Sequence, residues 1–258
     1  MNFQAGDRVL AFEPATGHRW LLLAGQGVLK EKGLGIIDTD ALVDAPVGDR
    51  RTYGAKDIVL LRPSLADFTG TLRRKAQIIT PKDASRIAYE LGIGPGDRVL
   101  ESGIGSGAAT MALAWNVGDA GRVVVQELRD DFAQWATDNL ERAGLADRVE
   151  VHIGDLTEAA ADAVQGPFDA VLLDQPQPWL ALPNVVPMLA PGARVACYSP
   201  QVGQMEQVAR AMTDLGFADV RCLELIQRDW VIKEHGSRPA FDGLGHTAFL
   251  VFGRFVGA

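Results

Sequence analysis

Gly103, Gly105 and Gly107 stand at alternate positions, after the segment Val99-Leu100-Glu101-Ser102 and directly before a helix-forming stretch. Glycine is needed where the backbone takes positive φ or where a ligand presses on it. A strand, a glycine turn and a helix in that order read as a ligand cradle, because open α/β sheets bind ligands beyond the carboxyl ends of their strands. Four acids lie at comparable places. Glu101 precedes the turn, Glu127 ends the run Arg122–Glu127, Asp155 follows Val149–His152, and Asp174 ends Ala170–Asp174.

Two nucleotide-like cofactors fit such a turn. Gly103-x-Gly105-x-x-Ala108, with Glu127 at the distance expected for a ribose, matches the dinucleotide fingerprint of a nicotinamide oxidoreductase. The alternating G-x-G-x-G of Gly103, Ile104, Gly105, Ser106 and Gly107, the preceding Glu101 and an antiparallel end to the sheet favour S-adenosylmethionine instead. In that reading Glu127 accepts from both ribose hydroxyls and Asp155 accepts from the adenine amino group. A solvated strand-end acid is the plain alternative for Glu127, a helix N-cap for Asp155, and a simple tight turn for the glycines.

Asp174 opens the segment Asp174-Gln175-Pro176-Gln177-Pro178-Trp179. The prolines stiffen the loop and hold the carboxylate at the strand's end, facing the donor, with an aromatic at the entrance. A carboxylate that accepts from the exocyclic amine of an adenine raises electron density at ring N1 and offsets the positive charge that methylation creates. The alternative for Asp174 is a cap on the following helix.

The elements that must position these groups fall into two parts, residues 1–64 and 65–258. Short apolar runs at Arg8–Phe12, Trp20–Leu23, Gly35–Ile37 and Ile58–Leu61, separated by glycines and turn residues, predict a small β-rich domain. Thr80-Pro81-Lys82-Asp83 is a helix start, with Thr80 as N-cap and Pro81 at the first helical position. Beyond it strands at Arg98–Glu101, Arg122–Glu127, Val149–His152, Ala170–Asp174 and Arg194–Tyr198 alternate with helices at Gly107–Trp115, Asp130–Ala143, Pro178–Leu189 and Gln204–Leu215. That alternation predicts a parallel sheet covered on both faces. Val220–Ile226 and Thr247–Arg254, joined by a loop, are expected to pair antiparallel at one edge.

Composition narrows the class. Acidic residues outnumber basic ones, 33 to 25, for a net charge of −8, which argues against indiscriminate coating of nucleic acid but not against a folded RNA held by a local basic patch. No stretch approaches the roughly 18–20 apolar residues that span a bilayer, and the N-terminus lacks the basic and apolar regions of a signal peptide. Cys197 and Cys222 lie in apolar segments and read as reduced core thiols, giving a cytoplasmic expectation. No His/Cys cluster has metal-ligand spacing, so no metal is expected. His246 reads as a buried strand-start residue, and His18 and His152 as structural or exposed.

Nearly the whole chain resembles the tRNA (adenine-58-N1)-methyltransferases in their prokaryotic homo-oligomeric form. The resemblance is carried by Arg62–Phe68, the linker Gln77–Asp83, the glycine turn, the loop Asp174–Trp179 and the ending Gly245–Val251. It implies a Rossmann-like class I methyltransferase domain, with a seven-stranded sheet and an antiparallel edge hairpin, behind a small β-rich domain. It also implies a homotetramer and methylation of adenine N1 at position 58 in the T-loop of tRNA. Carried residue by residue, Gln77 and the turn Gly103–Gly107 with Ala108 contact the donor, Glu127 holds its ribose, Asp155 its adenine, and Asp174 the target adenine. The chain departs from the family's pattern at Ile104, at Thr80, where some relatives carry an aromatic residue, and at Gln177, where an acid is frequent. Trp179 and Phe249 are the aromatic faces left to stack the target.

Two basic groups flank the expected site: Arg73-Arg74-Lys75 before the linker, and Arg228, Lys233 and Arg238 in the C-terminal loop. Together they suggest an RNA face, although each charge alone reads as solvated surface. Two other functions stay open on the sequence: a methyltransferase of the same fold with another RNA base or a small molecule as acceptor, and a tRNA-binding scaffold subunit without a donor site.

Overall fold

The computed structural model describes residues 1–258 apart from 159–162, 242, 244 and 258. Two compact units emerge, the first formed by Met1–Arg73 with Asn139–Gly144, the second by Arg74–Asp138 with Leu145–Ala258.

The first unit carries β1 (Arg8–Phe12), β2 (Arg19–Leu23), β3 (Val28–Glu31), β4 (Gly35–Asp38), β5 (Arg50–Tyr53), β6 (Lys56–Leu61) and the short helix α1 (Leu65–Gly70). β2-β1-β6-β5 form an antiparallel sheet and β3-β4 a separate hairpin. Phe3, Val9, Leu22, Ile37, Leu42, Ile58 and Leu60 fill its core. β3 and β5 escaped the sequence reading because VLKE and RRTY each hold too few apolar side chains to mark a run.

The second unit alternates strands and helices: α2 (Pro81–Leu91), β7 (Arg98–Ser102), α3 (Ala108–Val117), β8 (Arg122–Glu127), α4 (Asp130–Ala143, its last turn assigned to the first unit), β9 (Val149–Ile153), β10 (Phe168–Leu173), α5 (Pro178–Val185), β11 (Leu189–Ser199) and α6 (Val202–Asp214). β12 (Ala218–Glu224), the two-residue strands β13 (Trp230–Val231) and β14 (Arg238–Pro239), and β15 (Phe249–Arg254) complete it. The seven-stranded sheet has the order β12-β15-β11-β10-β7-β8-β9. β15 alone runs against its neighbours β11 and β12; the other neighbouring strands are parallel. Val123, Val124 and Val125 of β8 are all fully buried, as expected of a strand covered on both faces. α3 is apolar nearly all round and buries seven of its residues from Ala108 to Ala114, so it packs as an internal helix.

Two sequence expectations are corrected. The helix from Pro178 ends at Val185, not Leu189: Pro187 removes a backbone donor, a 3₁₀ turn covers Val186–Met188, and Leu189 already begins β11. Cys222 is exposed, not a core thiol, because β12 is the edge of the sheet; Cys197 on β11 is buried. Among the described residues no helix is long and apolar enough to cross a membrane.

Candidate active site at the carboxyl edge of the sheet

Strand order makes the site. β7, first in the chain of the parallel strands, lies between β8 on one side and β10 on the other, so the connections leave in opposite directions and open a crevice at its carboxyl end. Gly103, Gly105 and Gly107 cross that crevice with φ of +89°, +52° and +87°. The turn is pinned by the Gly103 N–H to the Gln126 carbonyl (3.1 Å) and by the Gly107 N–H to the Ile104 carbonyl (2.8 Å). An added Cβ at Gly105 would meet nothing within 4 Å, so this glycine presents bare backbone to open space.

A cavity of about 530 Å³ lies over the turn, inside the size range of small-molecule sites. Ser102, Gly103, Gly105, Glu127, Asp155 and Asp174 all line it. Ala76 lines it as well, but Gln77 is exposed and is not among the lining residues. Ile104 and Ala108 are buried beneath the turn. Ser106 is buried too, and its hydroxyl accepts the N–H groups of Lys75 (3.0 Å) and Ala76 (3.2 Å), fastening the linker to the turn.

The acids are held differently. Glu127 accepts the Ile104 N–H at 3.0 Å on one oxygen and the Arg129 N–H at 2.8 Å on the other. Those bonds fix the carboxylate plane and leave each oxygen a further lone pair. Asp155 accepts both the N–H and the hydroxyl of Thr157 on one oxygen, each at 2.8 Å, a local turn that aims its other oxygen. Asp174 follows β10 and donates its N–H to the Ser102 carbonyl at 2.8 Å. Burial, then the charge of Glu127, pushes its carboxyl up to about 7. Asp174 does not cap α5, whose N-cap is Gln177. The loop is further tied by a Ser102 hydroxyl bond to the Gln175 side chain and by the Gln204 amide donating to the Pro176 carbonyl.

Glu101 is fully buried and neither of its oxygens has a hydrogen-bond partner among the described residues, nor has the hydroxyl of Thr110. Buried polar groups in native proteins are overwhelmingly paired, so an orphaned carboxyl beside a cavity marks a place for a polar ligand group. Bare backbone at Gly105, a fixed carboxylate at Glu127, an orphaned acid at Glu101 and apolar walls from Leu128, Phe132 and Leu156 together suit a nucleoside bearing a cation. Among the described residues no group of three or more His, Cys, Asp or Glu side chains is arranged to hold a metal ion.

The sequence reading did not reach Leu128, Arg129 and Phe132, which follow Glu127 directly and line the cavity, with the Arg129 guanidinium 4.1 Å from the Phe132 ring centre. It also missed the polar knot at the start of α2. There Lys82 donates to Asp83 (2.7 Å) and to the Thr247 hydroxyl (2.6 Å), while Thr80 donates to Asp83 (2.9 Å) rather than capping a backbone N–H. Tyr198 lies next to Thr247 and feels the charges of Asp83 and Asp174.

The remaining candidates are scattered. Trp179, in the first turn of α5, packs against the core, and the Phe249 ring lies 4.8 Å from that of His246. His246 itself is exposed, not buried: it precedes β15 and its ring nitrogens meet Glu224 and the Pro200 carbonyl, the Glu224 bond chiefly raising its pKa. Lys75 is paired with Asp131 at 2.6 Å and lies over the Phe132 and Trp135 rings. Arg73 and Arg74 are exposed, as are Arg228 and Lys233, while the Arg238 guanidinium lies 3.8 Å from the Phe241 ring centre.

A family model described as the tRNA methyltransferase complex GCD14 subunit matches residues 57–240. The tRNA (adenine(58)-N(1))-methyltransferase TrmI of Thermus thermophilus is 33% identical over 243 residues, covering 94% of each chain. Among solved structures, a SAM-dependent O-methyltransferase from Thermotoga maritima superposes with a TM-score of 0.84 at 31% identity, covering all of this chain and 96% of that one. The tRNA (m1A58) methyltransferase TrmI from Aquifex aeolicus gives a TM-score of 0.76 at 28% identity, with both chains covered in full.

Proposed function

Because the chain belongs to the family of the tRNA methyltransferase complex GCD14 subunit, we propose that its carboxyl-edge cavity transfers a methyl group from S-adenosylmethionine to N1 of adenine 58 in tRNA. The observation that carries this reading is the convergence of the glycine turn, Glu127 and Asp174 on one cavity. When bound, S-adenosylmethionine supplies an electrophilic methyl on a sulfonium. The chain's own residues do the rest.

The turn Gly103–Gly107 lets the ligand approach the backbone, and Glu127, already oriented by two N–H groups, accepts from the ribose hydroxyls. Asp155 accepts from the adenine amine through its free oxygen. Glu101 answers the ammonium of the amino acid end. Asp174 accepts from the amine of the target adenine and offsets the charge that grows on its ring, an interaction stronger in the transition state than in the ground state. Bringing the target to Asp174 requires flipping it out of its stack, at a cost of a few kcal/mol. Arg74, Arg228 and Lys233, exposed in this unit, are the cations available to phosphates.

The test is incubation of purified protein with labelled S-adenosylmethionine and unmodified tRNA, followed by nucleoside analysis. Labelled 1-methyladenosine at position 58 is expected, and unlabelled tRNA would overturn the assignment. A second reading, the same donor with a different acceptor, is favoured by the likeness to the SAM-dependent O-methyltransferase from Thermotoga maritima. It predicts label in a hydroxyl-bearing small molecule and none in tRNA. We further propose a cytoplasmic homotetramer, which light scattering would contradict by giving the 27.7 kDa mass of one chain.

A further inference from the structure

One histidine closes the neck of the long connection between β12 and β15. Glu224 is the last residue of β12, and His246 stands shortly before Phe249, where β15 begins. The His246 Nδ1 lies 2.5 Å from a Glu224 carboxylate oxygen, and its Nε2 lies 2.8 Å from the Pro200 carbonyl, just past β11. The ring thus holds the carboxyl ends of β11 and β12 to the approach of β15. Thr247 extends the hold by accepting from Lys82 of α2 at 2.6 Å, and the buried Tyr198 beside it feels the charge of Asp174. Beyond the neck the connection carries Arg228, Lys233 and Arg238.

Both partners of the ring are acceptors. A carbonyl oxygen has no proton to give, and neither has an ionised carboxylate. A neutral imidazole carries a single N–H, so it could satisfy one partner only and would set a lone pair against the other. Two short contacts to two acceptors call for two N–H groups, which is the imidazolium. Among the described residues, the charged groups that act on His246 are Glu224 on β12, which favours the cation, and Lys82 on α2, which opposes it. Lys82 is itself paired with Asp83 at 2.7 Å, and β15 contributes the Phe249 ring. The Glu224 bond, then the Pro200 bond, lift the His246 pKa above its ordinary 6.5 against a smaller effect of burial.

We propose that His246, as an imidazolium, is a clasp that positions the cations of this connection for RNA, so that its protonation governs tRNA binding and leaves donor binding alone. This rests on the tRNA reading above. The clasp is whole while the ring is protonated and is lost as pH rises through the raised pKa. In that step one ring N–H bond breaks, its proton passes to the solvent, and one of the two acceptors is left facing a lone pair. The pair with Glu224 is partly exposed. Its effect is therefore modest, up to about fivefold in tRNA affinity.

Two measurements test this. The chain has four histidines, so ring-13C labelling with His246→Gln as the assignment control follows His246 in the ligand-free wild type. Its titration midpoint is expected above 6.5, and Glu224→Gln should bring it down. A midpoint at or below the ordinary value, or one that Glu224→Gln leaves unmoved, overturns the clasp. Affinity for unmodified tRNA at fixed ionic strength is the second reading. The wild type should bind more tightly than His246→Gln by up to about fivefold at about pH 6, and the two should converge at about pH 9. Their affinities for S-adenosylhomocysteine should coincide at each pH. His235, in the same connection, titrates in both proteins and cancels from the comparison. A wild-type to variant ratio that is constant with pH, or a parallel change for S-adenosylhomocysteine, shows a merely structural histidine and overturns the positioning role. Failure of the wild type to bind tRNA at any pH is a different result: it removes the tRNA reading together with this role, while the titration still judges the clasp.

Discussion

The carbonyl oxygen of Asp174 occupies the space that a side chain at position 103 would need. A Cβ added to Gly103 would come within 1.9 Å of it, while φ there is +89°. The donor turn and the acceptor loop are therefore packed backbone to backbone.

Gly103→Ala is expected to destabilise the protein by about 3 kcal/mol or more, from strained φ together with a clash against backbone that cannot swing aside. Gly105→Ala differs, because φ of +52° is tolerable for alanine and the space beyond is open. It should cost about 1–2 kcal/mol of stability, yet weaken donor binding by putting a methyl into the cavity. Thermal unfolding alongside calorimetry of both variants checks the contrast, and equal stability losses would refute it.

Glu127→Ala should weaken donor binding by about 2–3 kcal/mol, the range for charge-assisted hydrogen bonds. The variant also frees the N–H groups of Ile104 and Arg129, so some loss of order in the turn accompanies it. Unchanged affinity in a folded variant would mean that the ribose lies elsewhere.

Asp174→Ala should lower kcat by about 10²–10³ with a much smaller change in donor affinity, as when one preorganised electrostatic partner is removed. Asp174→Asn keeps the shape and an acceptor oxygen without the charge, and should fall between. Since burial and Glu127 raise this carboxyl to about 7, the ionised form is lost as pH falls through that value. The wild-type rate should drop on the acid side of neutrality, and the asparagine variant should lack that limb. Wild-type rates in both variants would displace the acceptor site from Asp174.

Glu101 ties stability to pH with the opposite sense from a salt-bridged acid. Its carboxyl ordinarily ionises near 4.5 and in the fold near 8, so between those values the unfolded chain binds fewer protons than the folded one and stability falls as pH rises. Urea unfolding of ligand-free protein should show Glu101→Gln gaining on the wild type across that window. A stability difference constant from pH 4.5 to 8 would show that Glu101 ionises normally.

Periodicity and turn residues expose elements whose own side chains announce them. β8 is bounded as the run Arg122–Glu127 suggests, and α4 as Asp130–Ala143 suggests, since an unbroken valine run and an amphipathic stretch between turn signals are local properties. The glycine turn, Glu127, Asp155 and Asp174 are legible as separate strand-end features, and the strand order brings them to one cavity. Contacts made across the fold are not legible in this way. Phe132 joins the cavity from the first turn of α4, and Lys82 reaches Thr247 across 165 residues. Exposure misleads similarly: Cys222 and His246 sit beside apolar runs in sequence, yet Cys222 lies on the edge strand β12 and His246 in the loop before β15, both at the surface.

β15 runs against the parallel strands, and its first residue, Phe249, pairs with Ser199 and Glu224, the last residues of β11 and β12. The connection between β12 and β15 thus emerges at the same edge as Asp174 while contributing none of the strands that carry the donor acids. Lengthening or replacing it is topologically free: no crossover helix must be rebuilt and no register in β7, β8 or β9 must shift. Such a reversed strand separates what is inherited from what can vary, so a lineage can retain one methyl donor while redrawing the rim through which an acceptor enters.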